Sequence, residues 1–207
     1  MDDEEGTMVK PDTYKVRLTF IEDLLGTVPL NEDLFRDYIQ SKHPKAEGDD
    51  ELETLTVDEE MVKGMTGFHR TPDMTPLLYD YVIKGFFKDA CGMLNRVPNK
   101  GRKKLAAYKK VIDGLIFVEP RQIEIDIVGD EDKCERPLRA QTPKGERVAL
   151  AVSQSIPAGS SIAFAVMVLG VVSKPRLEEW LTYGQLRGLG QWRNSGKGRF
   201  TYELTEA

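Results

Sequence analysis

Residues 188–200 read Gly188-Leu189-Gly190-Gln191-Trp192-Arg193-Asn194-Ser195-Gly196-Lys197-Gly198-Arg199-Phe200. Glycine at 188, 190, 196 and 198 lets the backbone take positive φ and lets another molecule come close. Arg193, Lys197 and Arg199 beside such a backbone are the groups that hold phosphate oxygens. Trp192 offers a ring that either stacks a base or anchors the loop in the core. The spacing excludes a dinucleotide fingerprint, because Arg193 stands where a third glycine is needed, and the segment runs from helix to strand, the reverse of the Rossmann order. It also lacks the Gly-Lys-Ser/Thr ending of a phosphate-binding P-loop. The competing reading is a tight turn whose glycines serve geometry and whose cations are solvated.

Other cations recur in patterns that fit a polyanion. Lys84 and Lys88 lie one turn apart on a helix, and the alternative for them is a solvated face. Arg136 and Arg139 lie on an arm-like stretch that also carries Lys144 and Arg147. Residues 96–110 contain seven cations and no acid, which reads as a soluble connector more readily than as a site. His69, in Gly67-Phe68-His69-Arg70, is the weak candidate for acid–base catalysis, set against an ordinary loop histidine. No carboxylate pair stands out. Cys91, Cys134, His43 and His69 are scattered, so no metal site and no cofactor is expected.

The elements that must position these groups follow from periodicity. Tyr14, Val16, Leu18 and Phe20 alternate with polar residues, which predicts a half-buried strand over 13–21. Asn31 can cap a short helix to about Lys42. Residues 43–75 read as an insertion, acidic to residue 60 and Gly/Thr/Pro-rich from Gly64. A helix is predicted over 77–94, with Leu78, Val82, Phe86 and Ala90 at helical spacing; Gly85 within it points to close approach by another group. Strands are expected over 115–128, 147–152, 161–169 and 198–204, a protruding hairpin arm over 129–147, and a helix over 175–187 opened by Pro175. Without its insertions this is β-α-β-β-α-β: an α+β, ferredoxin-like (RRM-like) core with one mainly antiparallel sheet, both helices on one face and the other face free. RNA-recognition modules use such a face.

The 207 residues suit a single domain, with residues 1–12 as a disordered tail. No apolar run reaches the ~20 residues of a membrane span, no signal peptide is visible, and a cytoplasmic protein is expected. The net charge of −5 conceals an asymmetry. Residues 1–60 hold 18 acidic and 6 basic side chains, a net −12; the rest hold 16 and 23, a net +7. A basic body behind an acidic flank is compatible with a nucleic-acid ligand.

Four stretches resemble the RAMP superfamily, the ferredoxin-like RNA-binding proteins of CRISPR systems, and its backbone-subunit branch most of all. Lys84-Gly85-Phe86-Phe87-Lys88 is similar to that family's Lys-Gly-x-x-Arg helix, with Lys88 in place of Arg. Pro157-Ala158-Gly159 before an apolar strand looks like its Pro-x-Gly entry, and Gly188-Leu189-Gly190 like its glycine-rich loop. The arm at 129–147 sits where such subunits carry a protruding hairpin. Gly-Leu-Gly-Gln-x-Arg-Asn also resembles phage and prophage proteins, which implies a solitary phage-borne relative. The resemblance implies a binder of single-stranded RNA or DNA, with self-association into an oligomer or filament. Its contacts would be Lys84, Lys88, Arg136, Arg139, Gly188, Gly190, Trp192, Arg193, Lys197 and Arg199. Two alternatives stand beside it. One is a phage interaction protein that inhibits or mimics a host nucleic-acid-binding complex through its acidic segment. The other is an RNA-processing endoribonuclease built on His69.

Overall fold

The computed structural model describes residues 10–30, 65–98, 103–142, 145–170 and 172–207. The expected helix at 31–42, the whole acidic stretch at 43–60, the tail before Lys10, and Lys100, Arg102 and Lys144 lie outside the described residues. In chain order the elements are β1 (Asp12–Phe20), β2 (Leu24–Leu25), β3 (Val28–Pro29), β4 (Thr66–Gly67), β5 (His69–Arg70) and β6 (Pro76–Tyr79). Then come α1 (Asp80–Leu94), α2 (Tyr108–Leu115), β7 (Ile116–Glu119), β8 (Gln122–Asp126), β9 (Asp132–Thr142) and β10 (Gly145–Ile156). The chain closes with β11 (Ser161–Val168), α3 (Lys174–Arg187), a 3-10 turn (Arg193–Ser195) and β12 (Phe200–Glu206).

The main sheet runs β12-β1-β11-β8-β6-β5, with β7 also paired to β11. Its pairings are all antiparallel. Taking β7 and β8 together as the second strand, β12-β1-β11-β7/β8 is the 4-1-3-2 order of a ferredoxin-like fold, so the chain is α+β of that class. Alternation decides the layers. Tyr14, Val16, Leu18 and Phe20 of β1 and Ile162, Phe164, Val166 and Val168 of β11 are buried beneath the helices, and Lys15, Arg17, Ala163 and Ala165 point the other way. α1 contributes Ile83, Phe86, Phe87 and Ala90 to this core, and α3 contributes Leu177, Trp180 and Leu181. The helices touch where side chains are smallest. A Cβ on Gly184 of α3 would overlap the ring of Phe200 and come within 2.7 Å of Phe86, and one on Gly92 of α1 would lie 2.7 Å from the Tyr108 hydroxyl of α2.

Several expectations need correction. Leu77 and Leu78 are strand, not helix: β6 pairs with β8, which buries both leucines, and α1 starts at Asp80. The basic connector ends in a helix, α2, whose Ile112 faces the core. The stretch expected over 115–128 is two strands, β7 and β8; β7 pairs with β11, while β8 pairs with β6 over 122–124 and with β11 over 125–126. Residues 147–152 are not in the main sheet. They belong to β10, which pairs with β9 from Gly145↔Thr142 to Ser155↔Asp132 as one long hairpin in a second, five-stranded sheet. The arm therefore starts and ends later than 129–147, because the pairing of β9 with β10 continues unbroken to Ser155↔Asp132. Around Gly85 there is open space rather than a close neighbour.

Candidate nucleic-acid interface

The glycine loop is built on its own chain. Gly188 has φ +79 and Gly190 φ +80, conformations that L side chains rarely adopt, and a Cβ on Gly190 would sit 2.7 Å from the Leu25 carbonyl oxygen. Leu189 N–H donates to Gly198 O at 2.9 Å, Gly198 N–H to Asp23 O at 2.8 Å, and Gln191 N–H to Leu25 O at 3.4 Å. These glycines thus let the loop lie against residues 23–25 and double back on itself. Two loop cations fasten the same packing. Lys197 Nζ donates to Asp23 Oδ2 at 2.6 Å, and Arg199 Nε to Gln185 O at 2.8 Å. The bond from Lys197 holds the Asp23 carboxyl below its ordinary value, and the same bond raises the Lys197 ammonium above its own.

The tip of the loop is different. Arg193 Nη1 donates to Asp89 Oδ2 of α1 at 2.8 Å, and Arg187 Nε, from the end of α3, reaches the same oxygen at 3.5 Å. Arg187 also donates to Asn194, and Arg136 of β9 to Ser195. Guanidiniums from α3 and β9 therefore bond the 3-10 turn, which adds Arg193 of its own as a third. The only carboxylate that these bonds place among them is Asp89, which leaves a net of two positive charges. The Arg187, Arg193 and Asp89 side chains are 27%, 28% and 28% exposed, so the cluster is partly desolvated yet open to a ligand. A guanidinium has five N–H donors in a fixed fork; one or two bonds each leave the remainder available. Trp192, at φ 50, is the residue before the turn. It is partly exposed and outside the core; the core indole is Trp180, fully buried.

The other candidates lie elsewhere. Lys88 is ion-paired with Asp113 of α2, and the Lys84 ammonium stands 5.2 Å from the ring centroid of Phe117 on β7. Both thus face α2 and β7 rather than the loop. Arg139 is opposite Val148, farther out along the hairpin than Arg136, which is opposite Ala151. His69 of β5 packs edge-on to Tyr79, 4.8 Å between centroids, with Nε2 3.4 Å from the Tyr81 hydroxyl; burial lowers its pKa. Among the described residues, the free face of the sheet exposes Phe117 of β7, and no rings are stacked over its centre. Ala163 and Ala165 floor a groove of about 1000 Å³ there, bordered by Lys15 and Arg17 on β1, Glu203 on β12 and Glu119 on β7. Mixed charge over an alanine floor does not match the stacked rings that RNA-recognition sheets present. Among the described residues no group of His, Cys, Asp and Glu is arranged to hold a metal ion, and no helix is long and apolar enough to cross a membrane.

Sequence reading missed Arg187 and Asp89. Arg187 adjoins Gly188, and that adjacency is the available signal: a helix-terminal arginine is carried into whatever the following loop does. Asp89 gives no signal, because its role needs two cations from 98 and 104 residues away.

No protein-family model and no curated protein matches the sequence. Among solved structures, the chain is similar to one described as the type III-B Cmr-beta bound to cognate target RNA, studied by cryo-electron microscopy. The TM-score is 0.52 at 14% identity, over 95% of this chain. The chain spans 61% of the length of that one. At this identity the likeness is one of fold, and it agrees with the ferredoxin-like α+β architecture described above.

Proposed function

We propose that this chain is a single-stranded nucleic-acid binding protein, for RNA or DNA, that grips the phosphate backbone with Arg136, Arg187 and Arg193. The convergence of those three guanidiniums on the 3-10 turn carries the reading. Asp89 fixes the forks of Arg187 and Arg193 in advance, so less side-chain entropy is lost when phosphate oxygens arrive. Trp192 beside them supplies a ring for a base. Lys197 and Arg199 have the supporting role of fastening the loop, the one to Asp23 and the other to the Gln185 carbonyl of α3. The likeness in fold to a subunit of an RNA-bound assembly supports the same ligand class and makes other protein chains, including further copies, natural partners. The reading is of a binder, not a nuclease, and His69 has no catalytic part in it.

The test is a titration of a fluorescent single-stranded oligonucleotide at several salt concentrations, comparing the wild type with Arg187→Ala/Arg193→Ala. Each lost phosphate contact removes about 0.7 from the slope of log K against log salt. The double variant should bind more weakly and lose roughly 1.4 from that slope. A folded variant with unchanged affinity and slope would return the cluster to a structural role.

A further inference from the structure

A tyrosine stack stands at the opposite end of the α1 face from the guanidinium cluster. Tyr81 is 57% exposed. Its ring lies nearly parallel to that of Tyr79, with centroids 5.6 Å apart and an interplanar angle of 13°. Tyr79 is braced edge-on by His69 and through its hydroxyl by Gln122 Nε2 at 3.5 Å. The Tyr81 hydroxyl is tethered in turn, 3.4 Å from His69 Nε2. One face of the Tyr81 ring is thus covered by Tyr79, its rim is held, and the other face is left to solvent. A ring fixed in this way is ready for a flat partner at little conformational cost.

Between the stack and the cluster, α1 presents a glycine. Gly85, one turn on from Tyr81, is exposed and has nothing within 4 Å of where a Cβ would stand. Asp89, a further turn on, is the residue that holds Arg187 and Arg193. Eight residues of helix span about 12 Å. At the roughly 3.4 Å rise of stacked nucleotides this is three to four nucleotides.

We infer that Tyr81 is a nucleobase-stacking platform for the same strand whose phosphates the guanidinium cluster holds, so that the strand runs along the bare face of α1. This rests on the nucleic-acid reading above. Phosphates would be gripped near Asp89, and a base three to four nucleotides away would cap the Tyr79–Tyr81 stack. Sequence preference would be weak, because every base has a ring face.

Two 12-nucleotide probes separate this inference from the reading beneath it: oligo-uridine RNA, and an abasic strand with the same phosphates. Tyr81→Ala should weaken binding of oligo-uridine about tenfold, as the loss of one base–aromatic stack does, and leave binding of the abasic strand unchanged. Tyr81→Phe and Tyr81→Trp, which keep a ring, should restore most of the affinity for oligo-uridine. Arg187→Ala/Arg193→Ala should weaken both probes. Thermal melting of each variant confirms that it is folded. If the wild type binds oligo-uridine and folded Tyr81→Ala binds it equally well, or if Tyr81→Ala weakens both probes alike, the stacking platform is wrong while the phosphate grip stands. If the wild type binds neither probe, both are wrong.

Discussion

The cations of the glycine loop divide by partner. Lys197 ties the loop to Asp23, and Arg193 ties its tip to Asp89 of α1 with guanidinium donors to spare, although residue type alone makes them equivalent. The Lys197–Asp23 pair gives a prediction with a definite sign. Asp23 is held below its ordinary 3.8 and Lys197 above its ordinary 10.5 by their shared bond. The stabilisation is therefore complete above the unfolded carboxylate value and is lost as pH falls through the lowered value of Asp23. On the alkaline side it is lost only as pH rises through the raised value of Lys197. The two side chains are 25% and 37% exposed, which discounts the pair to about 1 kcal/mol. Denaturant unfolding of Lys197→Met should show that loss from about pH 5 to 9, and no difference from the wild type near pH 2. A loss that stays constant into acid would mean that the lysine acts through its alkyl stem. None of this division was legible in the sequence, because Asp23 is 174 positions from Lys197 and only the folded loop brings them together.

At the scale of elements, glycines mark where helices can and cannot approach. Gly85→Ala adds a methyl group in open space on an exposed helix face and should stabilise by about 0.5–1 kcal/mol, the propensity difference. Gly184→Ala drives a methyl group into Phe200 and Phe86 and should destabilise by about 1–3 kcal/mol. Thermal melts of the two variants should move in opposite directions; a shared direction would contradict the packing described. β11 is legible as a nearly continuous apolar run, and β1 by strand alternation, since Tyr14, Val16, Leu18 and Phe20 specify one buried face by period alone. The same rule placed residues 147–152 in the wrong sheet. Alternation reports that a strand has two faces and says nothing about which neighbour it pairs with, and β10 completes a hairpin with β9. Leu77 and Leu78 were misread for a similar reason, because a short apolar run before a helix fits either periodicity. The guanidinium cluster was half legible: Arg136 and Arg193 are marked by type and by the loop, and Arg187 and Asp89 only by the fold.

For the whole molecule, charge decides how a polyanion is met. The stretch 43–60 holds eight acidic side chains and one lysine, a net −7; deleting it changes the net charge from −5 to +2. The deletion variant should associate with single-stranded nucleic acid faster and more tightly, most of all at low salt, where repulsion is least screened. Unchanged association rates at 20 mM salt would show that this charge lies outside the approach path. Beneath this rests the central claim, that a ferredoxin-like fold with three convergent arginines holds a single strand by its phosphates. Fluorescence anisotropy of labelled oligo-uridine and oligo-thymidine with the wild-type chain, against a duplex of the same length, tests it most directly. The account predicts saturable binding of the single strands, weaker binding of the duplex, and an affinity that falls steeply between 50 and 200 mM salt. An absence of single-strand binding at 50 mM salt, or binding indifferent to salt, would contradict it.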